Sequence, residues 1–258
     1  MFWKGLTLES RVIGALLMRE VYTRFGREGL GFAWIVGEPL IFAIPVLLVW
    51  SVVRGSSEHG VAMLPFLWSG YLPILLFRHV GGRTILFVRV NAGLLYHRQV
   101  TPFDIFLARF LLEVGSNLSA VLASGVLFYA IGLIEIPRDL PMFYVGYFYM
   151  IWWCAVVGLI IGGLSERSDW VEKIWAPYSY LYIFFSGFFI MAAWLPAGLR
   201  DVALLQPSMQ AYEMIRAGVF GPAVKTYGDP AYAALILSVL TLAGLLFMRE
   251  SRKYIVSE

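Results

Sequence analysis

Few side chains in this sequence can make or break bonds. The one cysteine, Cys154, lies in the apolar run WWCAVVGLIIGG, which leaves no intrachain disulfide and no cysteine-based metal site. His59, His79 and His97 are scattered and show no metal-ligand spacing. The chain has no GxxxxGK[ST] phosphate loop, no HExxH or GxSxG motif and no paired intramembrane carboxylates. Hydrolysis of ATP by this polypeptide is excluded on that reading. The remaining chemistry is the holding of charge. Glu38, followed by Pro39, and Glu113 fall near the starts of apolar runs. An ionisable group there faces protein or water rather than lipid. Glu38 reads equally as a structural pivot and as a glutamate paired to an arginine, and Glu113 carries the same two readings.

The elements that position these residues follow from composition. Apolar residues make up 60% of the chain and charged ones 14%, against roughly 25% charged in a soluble domain. So few charges cannot cover a water-facing surface. The hydropathy pattern predicts an all-α membrane protein with about six transmembrane helices, near 34–53, 61–78, 112–134, 142–164, 174–193 and 231–248. No cleavable signal peptide is legible, because Arg11, Arg19 and Glu20 interrupt the first apolar cluster. With these spans, fifteen of the twenty Lys and Arg residues fall on one side, which the positive-inside rule makes cytoplasmic together with both termini.

Three segments lie outside the spans. Residues 7–29 read as an imperfect amphipathic helix on the cytoplasmic face. Glu9, Glu20, Arg24, Arg27 and Glu28 form its polar arc, and Leu8, Val12, Ala15 and Tyr22 its apolar arc. Residues 79–111 are too charged for lipid and too apolar for a simple loop. A short helix is expected over about 86–97, with a restart at Thr101-Pro102-Phe103-Asp104. There Thr101 suits the N-cap, Pro102 the first helical position, and Asp104 the closure of a capping box. Residues 194–230 hold two stretches too short to span, Trp194–Leu205 and Met209–Phe220, expected as re-entrant or interfacial pieces. Gly158, Gly162 and Gly163 give the fourth span a face for close helix packing. Trp34, Trp68, Tyr71, Trp152, Trp153 and Trp170 fit an aromatic belt at span ends. The run from Trp175 to Phe189, with Tyr178, Tyr180 and Tyr182, is denser than a belt requires and would suit a tunnel for sugar rings.

The stretch LMREVYTRFGREGLGFAWIVGEPL (17–40) resembles the opening of type-2 ABC transporter permeases, with Arg24, Phe25, Leu30, Gly31, Trp34, Glu38 and Pro39 on the family pattern. NAGLLYHRQVTPFDIFLAR (91–109) resembles the family's coupling region, and LLQPSMQAYEMIRAGVFG (204–221) its outer segment, with Gln206 where asparagine is usual. Among subfamilies the likeness is to the inner-membrane permeases that export capsular polysaccharide from Gram-negative bacteria. The resemblance implies one ABC-2 transmembrane domain over 1–258: an interface helix (1–30), the transmembrane region (31–248) and a cytoplasmic tail (249–258). It implies a homodimer with two copies of a separate ATPase that holds the ATP and Mg, and a lipid-linked polysaccharide as cargo. It also implies a periplasmic adaptor leading to an outer-membrane channel; no cofactor or nucleic acid is expected on this chain. ATPase coupling would fall to Asn91, Leu94, Leu95, Arg98, Thr101, Pro102 and Asp104. The substrate entrance would hold Arg24, Arg27, Trp34, Glu38, Arg83 and Arg89, of which the arginines would bind an anionic phosphoglycolipid head group or inner-leaflet lipids. Tunnel aromatics would be Trp68, Tyr71, Tyr178, Tyr180 and Tyr182. The rival readings are a permease for O-antigen, teichoic acid or a small hydrophobic substrate, an intramembrane enzyme on lipid-linked sugars, and a non-transporting scaffold.

Overall fold

A computed structural model describes residues 2–26, 31–55, 57–95 and 100–251. Arg27, Leu30, Arg98 and the tail beyond Ser251 lie outside the described residues. The chain is almost entirely helical. Helix α1 (Phe2–Phe25) precedes α2 (Gly31–Arg54), and a two-residue hairpin, β1 (Ser57–Glu58) with β2 (Val61–Ala62), leads into α3 (Met63–Thr84). Two single turns, α4 (Phe87–Val90) and α5 (Ala92–Leu95), precede the long α6 (Pro102–Ala130) and α7 (Leu140–Ser165). Then come α8 (Asp169–Phe185), the short α9 (Ala197–Leu204), α10 (Pro207–Phe220) and α11 (Pro230–Ser251).

Among the described residues, four helices are long and apolar enough to cross a membrane: α2 over Val36–Val53, α6, α7 and α11. Their outward faces carry Val52, Leu122, Phe148, Leu242 and Leu246, all exposed. Continuous apolar surface of this kind needs lipid or a partner against it. Helix α3 is 22 residues long but takes Arg78, His79 and Arg83 into its last turns. Helix α8 is only 17 residues, about 25 Å of rise, short of a ~30 Å hydrocarbon layer. The expected run 174–193 therefore starts earlier and stops earlier. It stops because Gly187 turns the chain at φ +97°, where an added Cβ would stand 2.6 Å from the sulfur of Met209. No side chain fits between that turn and α10.

Beyond the turn the two short apolar stretches fold as α9 and α10, which run Ala197–Leu204 and Pro207–Phe220. Helix α10 is buried along nearly its whole length, including Glu213 and Arg216. Arg216 donates to the carbonyls of Ile190 (2.8 Å) and Phe188 (2.6 Å), and its guanidinium lies 4.0 Å from the Phe66 ring centre. Glu213 accepts from the backbone N–H groups of Ala192 and Tyr227, each at 2.9 Å. These two side chains satisfy backbone groups that the broken helices leave open, the requirement for burying irregular chain.

Helix α7 is the central post, packed by α3, α10 and α11. Of the three glycines expected to serve close packing, Gly163 meets the backbone of Phe247 on α11, while Gly158 and Gly162 admit the rings of Phe106 and Phe87. The tightest approaches of backbone to backbone are elsewhere. A Cβ on Gly146 would fall 2.4 Å from the Ile215 nitrogen, and one on Gly218 would fall 2.4 Å from the Phe143 nitrogen. Two helices that touch backbone to backbone cannot accept a methyl group without separating. Gly146→Val should lower the stability of the detergent-purified protein by about 1–3 kcal/mol, read as a drop in melting temperature. Gly115→Ala, which meets nothing within 4 Å, should leave it unchanged.

Candidate functional site

Most of the charged side chains gather at one end of the bundle, and Glu113 is their centre. It lies on α6 and is 4% exposed. Arg24 of α1 reaches it at 2.5 Å, His79 of α3 at 3.5 Å and Arg83 of α3 at 3.7 Å. Arg83 also stands 4.0 Å from Glu38 of α2. One helical turn before Glu113, Arg109 binds Glu20 of α1 at 3.1 Å and donates to the carbonyl of Arg83. One buried carboxylate thus ties three helices together, and its arginine partner Arg83 extends the set to α2. Glu38 and Glu113 both resolve as arginine-paired glutamates.

This arrangement overturns the expected face of the N-terminal helix. Leu16 and Val21 are buried, with Val12, Leu17, Glu20 and Arg24 half-buried beside them, whereas Tyr22 is 54% exposed. Of the charged residues assigned to a water-facing arc, Glu20 and Arg24 turn inward and Glu9 is exposed, while Arg27 and Glu28 lie outside the described residues. Helical spacing aligns 16, 17, 20, 21 and 24 on one face, and the acidic and basic partners on α6 make that face favourable in spite of its charges.

The linker after α3 also differs from expectation. Instead of one helix over about 86–97, α4 and α5 are separate turns broken at Asn91. Leu86 is left-handed at φ +50°. Its N–H donates to Ser165 Oγ at 3.0 Å, and the Val88 N–H donates to Glu166 Oε1 at 2.8 Å. The end of α7 therefore caps α4. Arg89 lies 3.6 Å from the Glu166 carboxylate and 3.7 Å from Asp169. Burial pushes the Glu166 carboxyl above its usual range, against the opposing pull of the Val88 N–H and Arg89. Asn91 donates to the Phe87 carbonyl and accepts from Arg19. Leu94 and Leu95 pack toward Leu16 and Val88. Thr101 and Asp104 form the expected capping box, with Pro102 in the first turn of α6.

The coupling residues that can be described are thus held in local structure. Among the described residues, the large apolar side chains this segment leaves outward are Val90, 72% exposed, and Phe103, 40% exposed. The sequence alone singled out neither of them, nor Glu166, and it placed Glu20 on the polar arc of α1 without its partner Arg109. An apolar residue in a charged linker was the signal for Val90, whereas nothing local marks Glu166 as a cap for a distant turn. Of the entrance set, Arg24, Arg83 and Arg89 are engaged by carboxylates, Trp34 is 53% exposed, and Arg27 is outside the described residues. Of the aromatics, Trp68 is buried, donates to Ser124 and stacks on Phe143. Tyr182 is buried between Ser208 and Trp153. Tyr178 and Tyr180 face outward and Tyr71 is half-buried. Among the described residues no group of His, Cys, Asp and Glu could hold a metal ion.

A polytopic helical domain with an N-terminal helix bound to its charged end defines a class of transporter membrane subunit. The ABC-2 type transporter model matches residues 11–220, and the chain belongs to that family. It is 35% identical to the capsule polysaccharide export inner-membrane protein CtrC of Neisseria meningitidis serogroup B, over 98% of this chain and 95% of the relative. It is 34% identical, over the same shares, to the capsule polysaccharide export inner-membrane protein BexB of Haemophilus influenzae. The polysialic acid transport protein KpsM of Escherichia coli is 23% identical over 95% of each chain.

Removing one partner of a buried ion pair costs about 3–5 kcal/mol, because the other charge stays buried. Glu113→Gln should therefore destabilise the detergent-solubilised protein by about that amount. Arg24→Gln added to it should cost far less than Arg24→Gln alone. A double-mutant cycle read by denaturant unfolding should give a coupling of about 1–3 kcal/mol; additive losses would show that α1 is held by other contacts.

Proposed function

We propose that this chain is the membrane subunit of an ATP-driven exporter that moves lipid-linked capsular polysaccharide across the bacterial inner membrane. The observation that carries the reading is the 35% identity to CtrC along nearly the whole of both chains. Similarity confined to one motif would support only a shared fold. In this reading α3 and α8 join the four long apolar helices to make six spans, with α9 and α10 as re-entrant pieces on the periplasmic side. Both termini are cytoplasmic, in keeping with the basic end that holds α1. Six helices enclose too little space for a hydrated polymer, so two copies form the tunnel. A separate ATPase, two copies per complex, binds the ATP and Mg and docks beneath α4 and α5. A periplasmic adaptor and an outer-membrane channel continue the path.

The arrangement of the charged end supports a transmission role. A partner pressing on the segment around Val90 moves α4, which is fastened to α7 through Ser165 and Glu166. Movement of α1 passes to α6 through Glu20–Arg109 and Arg24–Glu113. Exposed Tyr178 and Tyr180 remain available to face a glycan, and buried Tyr182 backs Tyr178, ring centre to ring centre 5.7 Å apart.

Deletion of the gene from an encapsulated host should abolish surface polysaccharide, and the intact gene should restore it. Unchanged capsule in the deletion strain rejects the reading. At the motor interface, Val90→Asp should reduce co-purification of the ATPase about tenfold without lowering the melting temperature of the chain. Retention equal to wild type would place the interface elsewhere.

A further inference from the structure

Arg78 stands apart from the arginines around it. Arg24, Arg83, Arg89 and Arg109 each meet a carboxylate. Arg78, on α3, makes no salt bridge among the described residues, and its Nε is buried without a hydrogen-bond partner. Its guanidinium carbon instead lies over the ring of Tyr180 of α8, 3.9 Å from the ring centre. Both side chains line a cleft of about 450 Å³ between α2, α3 and α8, together with Pro39, Tyr71, His79 and Trp175. No carboxylate lines it. The hydroxyls of Tyr71 and Tyr180 make no hydrogen bond among the described residues, and the Ser179 hydroxyl is spent on the Ala176 carbonyl.

We propose that this cleft is a binding site for the phosphate ester of an anionic lipid head group, with Arg78 as its charged contact. A half-buried guanidinium without an anion is costly, and an incoming phosphate removes that cost. Tyr180 covers the guanidinium without spending any of its N–H donors, which leaves them for the two-pronged contact that phosphate oxygens accept. The two tyrosine hydroxyls can donate to the remaining oxygens, and the Trp175 and Pro39 walls suit the glycerol or sugar carbons next to the phosphate. A carboxylate-lined wall would repel the same group. Of the arginines first nominated for this task, the described ones, Arg24, Arg83 and Arg89, each meet a carboxylate, so Arg78 is better placed than any of them.

Naming the export cargo as the source of the phosphate rests on the function proposed above; the phosphate site itself does not. Purified wild type, R78Q and R78K would be titrated with dioctanoyl phosphatidylglycerol, dioctanoyl phosphatidylcholine and inorganic phosphate, with bound ligand counted by native mass spectrometry. Wild type should prefer phosphatidylglycerol. R78Q should retain it about tenfold less, and R78K should recover part of the loss because the charge returns without the fork. Equal retention by wild type and R78Q overturns the site. So does a shift of R78Q from dimer to monomer with retention unchanged, since Arg78 would then serve a second copy of the chain. In cells, R78Q should reduce surface polysaccharide and leave the lipid-linked polymer inside. Arg78-dependent lipid binding with normal export supports the site but rejects the cargo as its source, in favour of a bulk membrane phospholipid. Failure of the export reading itself would leave the native mass spectra unaltered.

Discussion

The buried carboxylate of Glu113 is the fixed point of the charged end. A carboxylate removed from water is unstable unless cations surround it, and here three basic side chains from two other helices do so. That need determines how α1 lies. The helix has a modest apolar face, and packing of Leu16 and Val21 alone would leave its rotation open. Pairing Arg24 with Glu113 and Glu20 with Arg109 selects one rotation and one height along α6. Arg83 then extends the same set of charges to Glu38 on α2. A lattice of this kind transmits displacement because its members cannot separate without exposing a bare charge to a poorly hydrated site.

The opposite end solves a different problem with similar means. Its helices stop short, and short helices leave backbone donors and acceptors without partners. Arg216 and Glu213 are buried completely and turn toward those groups. Gly187, Gly146 and Gly218 let α10 lie against its neighbours at backbone distance. The result is a closely packed cap, built from close contact and satisfied polar groups, set opposite a basic end held by ion pairs.

These two designs fit an exporter whose motor is elsewhere. In the proposed exporter, force enters at the charged end, where α4 is clamped to α7 and α1 to α6, and the apolar faces between the ends are left to lipid and to a second copy. In that setting Arg78 is informative because it is a half-buried cation that the lattice does not use.

The sequence by itself determined the class. Low charge, long apolar runs and the imbalance of Lys and Arg are properties of composition and order, and the bilayer acts on them directly. The capping box at Thr101 and Asp104 was equally legible, since both partners lie within one turn. Tertiary structure alone decided the rest. The inward rotation of α1 depends on Glu113 and Arg109, nearly ninety residues away, against the polarity of its own residues. The division of the coupling segment at Asn91 depends on Ser165 and Glu166, which cap a turn nearly eighty residues before them. The early end of α8 depends on a methionine from α10. Local pattern reports what a residue prefers in water or lipid, whereas pairing across the fold gives a charged residue a third environment that no pattern along the chain describes.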